Sequence, residues 1–406
     1  MSWKRTFIFA FFAQFLGIVG ISFATPFLPF FVGELGVSES GAQAFWAGIV
    51  LGSGAVAYAV FAPVWGILAD RVGRKAMVCR AMFGAAIAVL LMSFAQTVPQ
   101  MILFRVVQGI FSGTLAASIA LVASVTPLHR SGLALGMMQA AVFIGNAVGP
   151  LIGGMAADMF GYRVSFRIGA LLTLLGGVLV LFGTAESFTP PDENESVNTP
   201  GFRKIFLLPG FLVSVLILFS VRLSNSIANP SFPLIVEDIL GSLRNLNSIT
   251  GSVIGAAAIA AAVSAALLGH AGDRLGRRRV LVGCCIAACL ASVGHYFARN
   301  LPSLFCARIL FGFSMAGMLP AANAMIHEVV DRRSIGKAYG LATALSMLGT
   351  AFGPTIGGTL AMQAGLRIPF LVTAAAQVGL VIMVLFMFRD HRCSPHKRET
   401  FSYGVQ

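Results

Sequence analysis

Arginine inside an apolar run is the first feature of this sequence that could do chemistry. Arg105, Arg167, Arg222 and Arg308 each interrupt long hydrophobic stretches. A guanidinium is always charged and presents a planar fork of donors suited to a carboxylate or phosphate. Arg222 stands out, because Ser224, Asn225, Ser226 and Asn229 follow it and give its stretch a polar stripe. It reads as a receiver for an anionic group, or as a hydrogen-bond donor to carbonyls of a kinked helix. Gln14, Gln108, Arg222, Asn225 and Asn229 are the side chains read as facing a small organic substrate. Carboxylates are the converse. All 15 acidic residues fall in loops or near the ends of apolar runs, so no Asp or Glu is set to carry a proton through an apolar interior. His295 and His327 also fall near run ends and read as solvated. Cys284, Cys285 and Cys289 cluster without a neighbouring His or carboxylate, so they read as soft packing and no metal or other cofactor is expected. No HExxH, GxSxG or phosphate-cradling glycine loop occurs, which argues against a membrane enzyme.

The elements that would position these groups are set by composition. The 406 residues are 57% hydrophobic and 11% charged, with a mean hydropathy of +0.87. That is too apolar for a chain wrapped in water. A helix crossing a bilayer needs about 20 mainly apolar residues. Twelve such spans are expected, at 6–32, 45–68, 77–96, 100–121, 132–157, 164–184, 209–236, 246–268, 280–298, 303–326, 338–362 and 368–388. The runs lack alternation, so helices and not a barrel satisfy the backbone. The first run follows Trp3-Lys4-Arg5 as a signal peptide would, but it is too long and lacks a small-residue cleavage site, so it reads as a retained helix. With the N-terminus placed in the cytoplasm, 20 of the 28 basic residues, Arg80 among them, fall on the cytoplasmic side and four on the other. This bias predicts a multi-pass plasma-membrane protein with both termini cytoplasmic. It also accounts for most of the +13 net charge without nucleic acid.

The chain repeats itself. Gly66-Ile-Leu-Ala-Asp70-Arg71-Val-Gly73-Arg74-Lys75 returns as Gly269-His-Ala-Gly-Asp273-Arg274-Leu-Gly276-Arg277-Arg278, with Asp273 203 residues after Asp70. Arg105 returns as Arg308, also 203 on. Gly145, Gly149, Pro150 and Gly153 return as Gly349, Gly353, Pro354 and Gly357, 204 on. Thr25-Pro26 returns as Asn229-Pro230, whereas Arg222 answers to Ile18, so the shared scaffold does not require its charge. The expected organisation is a six-helix half at 1–185, a cytoplasmic connector at 186–208, a second half at 209–390 and a cytoplasmic tail at 391–406. Gly145, Gly149 and Gly153 share one helix face and admit a close neighbour, while Pro150 frees the carbonyl of Asn146.

These motifs resemble the major facilitator superfamily of transporters along nearly the whole chain. The Gly66–Lys75 stretch is similar to that superfamily's loop between helices 2 and 3. The Gly145–Gly154 stretch is similar to the helix-5 signature of exporters, particularly the twelve-helix drug:proton antiporters, a group that includes siderophore exporters. The resemblance implies an all-α fold of two six-helix pseudo-repeats, acting as a monomer in lipid to export small organic molecules against protons. It implies a conformational latch at Gly66, Asp70, Arg71, Gly73 and Arg74, with Asp273, Arg274, Gly276 and Arg277 in the repeat. It implies a role in coupling for Arg105, set beside Gln108, and a seal against leak at Gly145, Gly149, Pro150, Gly153, Gly353 and Pro354. Read as bare residues, the loop is also a solvated topogenic segment, and Arg105 and Arg308 also fit long stems reaching an interface. Helix 1 departs from the antiporter pattern, offering Gln14 and no carboxylate before Glu34. An importer of sugars or organic anions, and a non-transporting receptor, are the alternatives.

Overall fold

A computed structural model describes residues 3–186, 206, 208–329 and 335–387; within these, the side chains at 70, 128, 209, 266, 273, 324–329, 335–337 and 387 lie outside the description. The helices are α1 (Trp3–Ser22), α2 (Leu28–Glu34), α3 (Ser40–Val72), α4 (Arg74–Met92), α5 (Val98–Phe111), α6 (Thr114–Val125), then the run Leu128–Gly183. That run holds 56 residues, about 84 Å if straight and far more than a bilayer is thick. It breaks at Gly161, whose φ of 79° only glycine adopts readily, giving α7 (128–160) and α8 (162–183). The second half follows with α9 (Pro209–Ile227), α10 (Phe232–Leu240), α11 (Leu246–Leu275), α12 (Arg277–Phe297), α13 (Leu301–Val329), α14 (Ile335–Ala364) and α15 (Ile368–Met387). Ten stretches meet a length-and-hydropathy test for crossing a membrane. One of the ten is the pair α7 and α8 read as a single stretch, and α14 supplies the remaining crossing, so the expected twelve are present. Most of the connector and the whole tail lie outside the described residues.

The repeat is written into the geometry. Spans one and seven both break before their far ends, at 23–27 and 228–231. Across each break a serine bonds the same place in its own half: Ser22 Oγ donates to the Gly145 carbonyl and Ser226 Oγ to the Gly349 carbonyl, both at 3.3 Å. Gly161 and Gly365 both have positive φ. Two residues later, Arg163 donates to the Ser93 carbonyl and Arg367 to the Tyr296 carbonyl, closing the ends of α4 and α12. The helices thus share two ends. The base carries Trp3, the α3–α4 and α11–α12 turns and Glu186; the far end carries Gly36, Gly161, Gly241 and Gly365.

The halves meet at the far end. A Cβ at Gly48 would press on the Pro354 carbonyl, and one at Gly251 on the Pro150 carbonyl. Gly52 against Ala351 and Gly255 against Ala147 continue the same two crossings, α3 on α14 and α11 on α7. Absence of side chains lets these backbones touch. An apolar cluster spanning both halves, with Phe27, Phe30 and Ala157 beside Phe232, Leu246 and Phe370, fills the same end. Toward the base the same helices part: a Cβ at glycines 66, 132, 136, 269, 272 or 340 would meet no atom of another described segment within 4 Å. The cleft between the halves therefore opens at the base and is shut at the far end.

One break is not repeated. Gly113, at φ 113°, splits span four into α5 and α6, whereas α13 runs through. The carbonyls it loosens are taken by Trp65, whose indole N–H donates to Ile110 at 2.6 Å, and by Arg80, whose Nη2 donates to Ser112 at 3.4 Å. The Arg80 guanidinium also lies 3.8 Å from the Trp65 ring centroid. This corrects the assignment of Arg80 to the cytoplasmic charges. Helix α4 starts at Arg74, directly after Gly73, so Arg80 falls in its second turn, where a ring face and a free carbonyl compensate a buried cation.

Candidate functional site

The residues expected to latch the base are placed as follows. Gly73 and Gly276 form single-residue junctions at φ 97° and 93°, whereas Gly66 lies inside α3, so only one glycine of each motif makes the turn. Arg71 and Arg274 are exposed, and Arg74 and Arg277 are half-buried. The side chains of Asp70 and Asp273 lie outside the described residues, as does that of His327. The carboxylate that meets the start of α4 is Glu186, which accepts the Arg74 and Lys75 backbone N–H groups at 3.0 and 2.8 Å. Those N–H groups have no partner within the helix, so an acid there completes them and meets the positive end of the helix dipole. Lys75 closes the ring by donating to the Thr184 carbonyl at 2.7 Å. Glu186 was passed over in the sequence because it stands beside the Pro-rich connector, where it reads as linker.

The glycine stripes pack inward. Gly145 meets Ile18, Gly149 meets Ser22 and Gly153 meets the Phe23 carbonyl, all on span one of the same half. Gly349, Gly353 and Gly357 repeat these contacts with Phe219, Ser226 and Ile227. Pro150 and Pro354 are different, since their carbonyls face the opposite half. Beyond them sits a group the sequence did not single out. Asp158, at the end of α7, accepts the backbone N–H of Asn247 (3.1 Å) and of Ser248 (2.8 Å), together with the Asn247 amide (2.9 Å) and the Ser248 hydroxyl (2.5 Å). It caps α11 of the other half. Tyr162 adds a bond from its hydroxyl to Asn247 Oδ1 at 3.2 Å. The pseudo-symmetric crossing has Met362 against Gly41 and no such carboxylate. The signal was available: Asp158 and Met362 are 204 apart, a point where the repeat is broken.

Toward the cleft, Arg105 donates to the Gln108 side-chain oxygen and lies along Gly54 of α3. Gln108 is buried, and its amide nitrogen is without a partner. Gln14 is fully buried on α1, with neither amide atom bonded. Arg222 of α9 is half-buried and donates through Nε to Ser346 of α14 at 3.0 Å, so its partner is a hydroxyl of another helix rather than a carbonyl of its own. The Tyr58 phenol of the first half stands within electrostatic reach of both Arg222 and Arg80. Asn225 accepts from Gln377 at 3.4 Å, and Asn229 is exposed.

His295 departs from expectation. It is 1% exposed, not solvated, because α12 runs two residues beyond it and Phe232, Phe311 and Phe370 enclose the ring at 5.1–6.0 Å. Arg308 is turned inward as well, its guanidinium 4.0 Å from the Phe232 ring centroid. Among the described residues no group of three or more His, Cys, Asp or Glu could hold a metal.

Sequence and structure comparisons agree with this architecture. The chain is 32% identical over 392 residues to "Multidrug resistance protein MdtG" of Proteus mirabilis (strain HI4320), covering 96% of this chain and 97% of that one. It is 30% identical over 393 residues to "Multi-drug resistance efflux pump PmrA" of Streptococcus pneumoniae serotype 4, with the same coverage. Among solved structures, the D-xylose-proton symporter superposes with a TM-score of 0.75 at 15% identity, covering 96% of this chain and 98% of the other. An inward-facing bacterial homologue of the lysosomal transporter Spinster also scores 0.75, at 14% identity, covering 95% and 96%. The model of the Major Facilitator Superfamily matches residues 10–221 and again 214–404, and the chain belongs to that superfamily.

Proposed function

We propose that the chain exports small drug-like organic molecules, an anionic metabolite such as a siderophore included, from the cytoplasm across a bacterial inner membrane against protons. The observation that carries this is the pair of glycine crossings at the far end, matched by an open cleft at the base. Two packed halves touching at one end can rock to touch at the other, which is alternating access. The base is the end rich in Lys and Arg, so the positive-inside rule supports an opening toward the cytoplasm, where an exporter loads. Relatives named for multidrug resistance support the cargo class. In this reading Arg222, Asn225 and Asn229 line the cargo path, the buried Gln108 holds Arg105, which serves coupling, Gln14 is packed within the first half and not on the path, and the two glycine-turn loops latch the base once it closes.

Everted membrane vesicles from cells making the protein should accumulate a lipophilic fluorescent dye when respiration energises them. An uncoupler should abolish the accumulation. Dye movement equal to that of vesicles lacking the protein, with normal membrane insertion, would refute export.

A further inference from the structure

We infer that the interior of the second half holds a proton-linked anion site, in which His295 takes up a proton as a monovalent anion settles between it and Arg308. The site is a small, partly open cavity bounded by α9, α12, α13 and α15 and lined by Asn225, the exposed Asn229, Ser292, His295, Arg308 and Thr373, with Phe311 and Phe370 as its apolar walls. Its free volume is about 10 Å3, close to what one water-sized occupant needs.

The unsatisfied atoms around this space favour a negative guest. Arg308 Nε and Asn225 Nδ2 are buried donors without a partner. Asn225 Oδ1 is already engaged by Gln377, which leaves its NH2 group free. The Ser292 and Thr373 hydroxyls are committed to the Ala288 and Pro369 carbonyls, both at 2.8 Å. Buried donors ordinarily find acceptors, and an orphan calls for an explanation. Arg308 makes the demand strongest, because it has no carboxylate partner among the described residues and is held only over the faces of Phe232 and Phe311. Ring quadrupoles compensate part of a buried charge, not all of it.

His295 makes the site responsive to protons. Its Nδ1 lies 2.7 Å from the Ala291 carbonyl, an acceptor, so Nδ1 carries hydrogen and the neutral ring turns a bare Nε2 lone pair toward the cavity. With the space empty, a proton on Nε2 would set a second cation beside Arg308. Among the described residues Arg308 is the one charged group facing the ring; α9 and α10 offer Asn225, Asn229 and Phe232, α15 offers Phe370 and Thr373, and Asp238 is paired with Arg367 at the far end. An anion in the cavity removes that repulsion and accepts from the new N–H, so anion and proton enter together. The balance is simple: one proton from water to Nε2, one anion from water to the cavity, no covalent bond made. His295 answers to Met92 in the first half, 203 residues earlier, so the scaffold does not demand it. The inference goes beyond the export reading, because a proton and an anion bound together travel together, whereas a cargo exchanged against protons must exclude them; a cargo carboxylate at this site would move with the proton.

The guest's shared chemistry is a halide or a carboxylate oxygen, from a free inorganic ion or from cargo. The test uses the purified full-length protein in detergent, without transport, so its failure is distinct from failure of export. Sodium bromide, sodium benzoate or sodium gluconate is added to weakly buffered protein containing a pH dye. About one proton per molecule should be taken up with bromide or benzoate, and affinity should rise up to about tenfold per unit fall in pH, the slope of one linked proton. Uptake with bromide assigns the site to an inorganic ion, and uptake with benzoate alone assigns it to a cargo carboxylate. His295→Gln should abolish proton uptake and flatten the pH slope while binding persists. Arg308→Gln, or Arg308→Lys if the former does not fold, should weaken binding at least tenfold. His270→Gln, at an exposed position, should change nothing. No anion-linked proton uptake by the wild type, or full uptake by His295→Gln, overturns the inference.

Discussion

At the scale of single residues, Arg222 is the group whose chemistry is most specific. Its Nε is committed to Ser346, which orients the outer edge of the guanidinium, and Tyr58 of the other half lies within its electrostatic reach. A charged hydrogen bond is worth roughly 1.5–3 kcal/mol, which corresponds to a loss of about ten- to a hundredfold for an anionic cargo. Arg222→Ala should lower vesicle transport of anionic amphiphiles by that factor and leave neutral ones within about twofold, and Arg222→Lys should fall between, since an ammonium lacks the planar fork. Equal loss for both cargo types would assign Arg222 to packing. Its special status was legible in the sequence, because the repeat places Ile18 at the same point. Arg80 was not legible. It stands four residues before the Gly84 that packs on Phe111 and close to a run of loop charges, and only the three-dimensional break at Gly113 gives it the Ser112 carbonyl to bind.

At the scale of helices, glycines divide by what lies opposite them. A methyl group at Gly153 would strike the Phe23 carbonyl, a backbone atom that moves only if the helix moves, whereas Gly132 faces open space. Gly153→Ala should therefore cost more than about 1 kcal/mol through separation of α7 from span one. Gly132→Ala should be neutral or stabilising by up to about 1 kcal/mol, because alanine is the better helix former. Thermal melting of the two purified variants separates them. The sequence marked Gly145, Gly149 and Gly153 by their spacing, but spacing cannot say which neighbour they receive. They bind their own half together, and the contact between halves is carried by Gly48, Gly52, Gly251 and Gly255, with Gly154 and Gly358 beside them. The first four lie in α3 and α11, where they look like ordinary small residues in an apolar run. His295 was misplaced for a related reason: nearness to a helix end implies water only when no aromatic wall closes that end.

At the scale of the whole molecule, closure of the far end is asymmetric. Asp158 ties α7 to the start of α11, whereas Met362 stands at the mirrored place. Asp158→Asn keeps the shape but removes the charge that meets the helix terminus, and should weaken the closed far end by about 1–3 kcal/mol. Spin labels at positions 36 and 241, one in each half, should then show a larger population of long distances than the wild type. An unchanged distance distribution would mean that the backbone crossings alone hold that end. The twelve spans and their duplication were legible because hydropathy and repetition are linear properties of a chain. Which end is open was not, because it depends on pairs of residues some 200 positions apart. The crossings themselves have one more consequence. Where the halves meet, the message is spelled by the absence of side chains, and where cargo and charge are handled it is spelled by their presence. The two vocabularies hardly share a letter, so the moving frame can be copied unchanged while the lining is rewritten, and structures only 14–15% identical to this chain can keep its architecture.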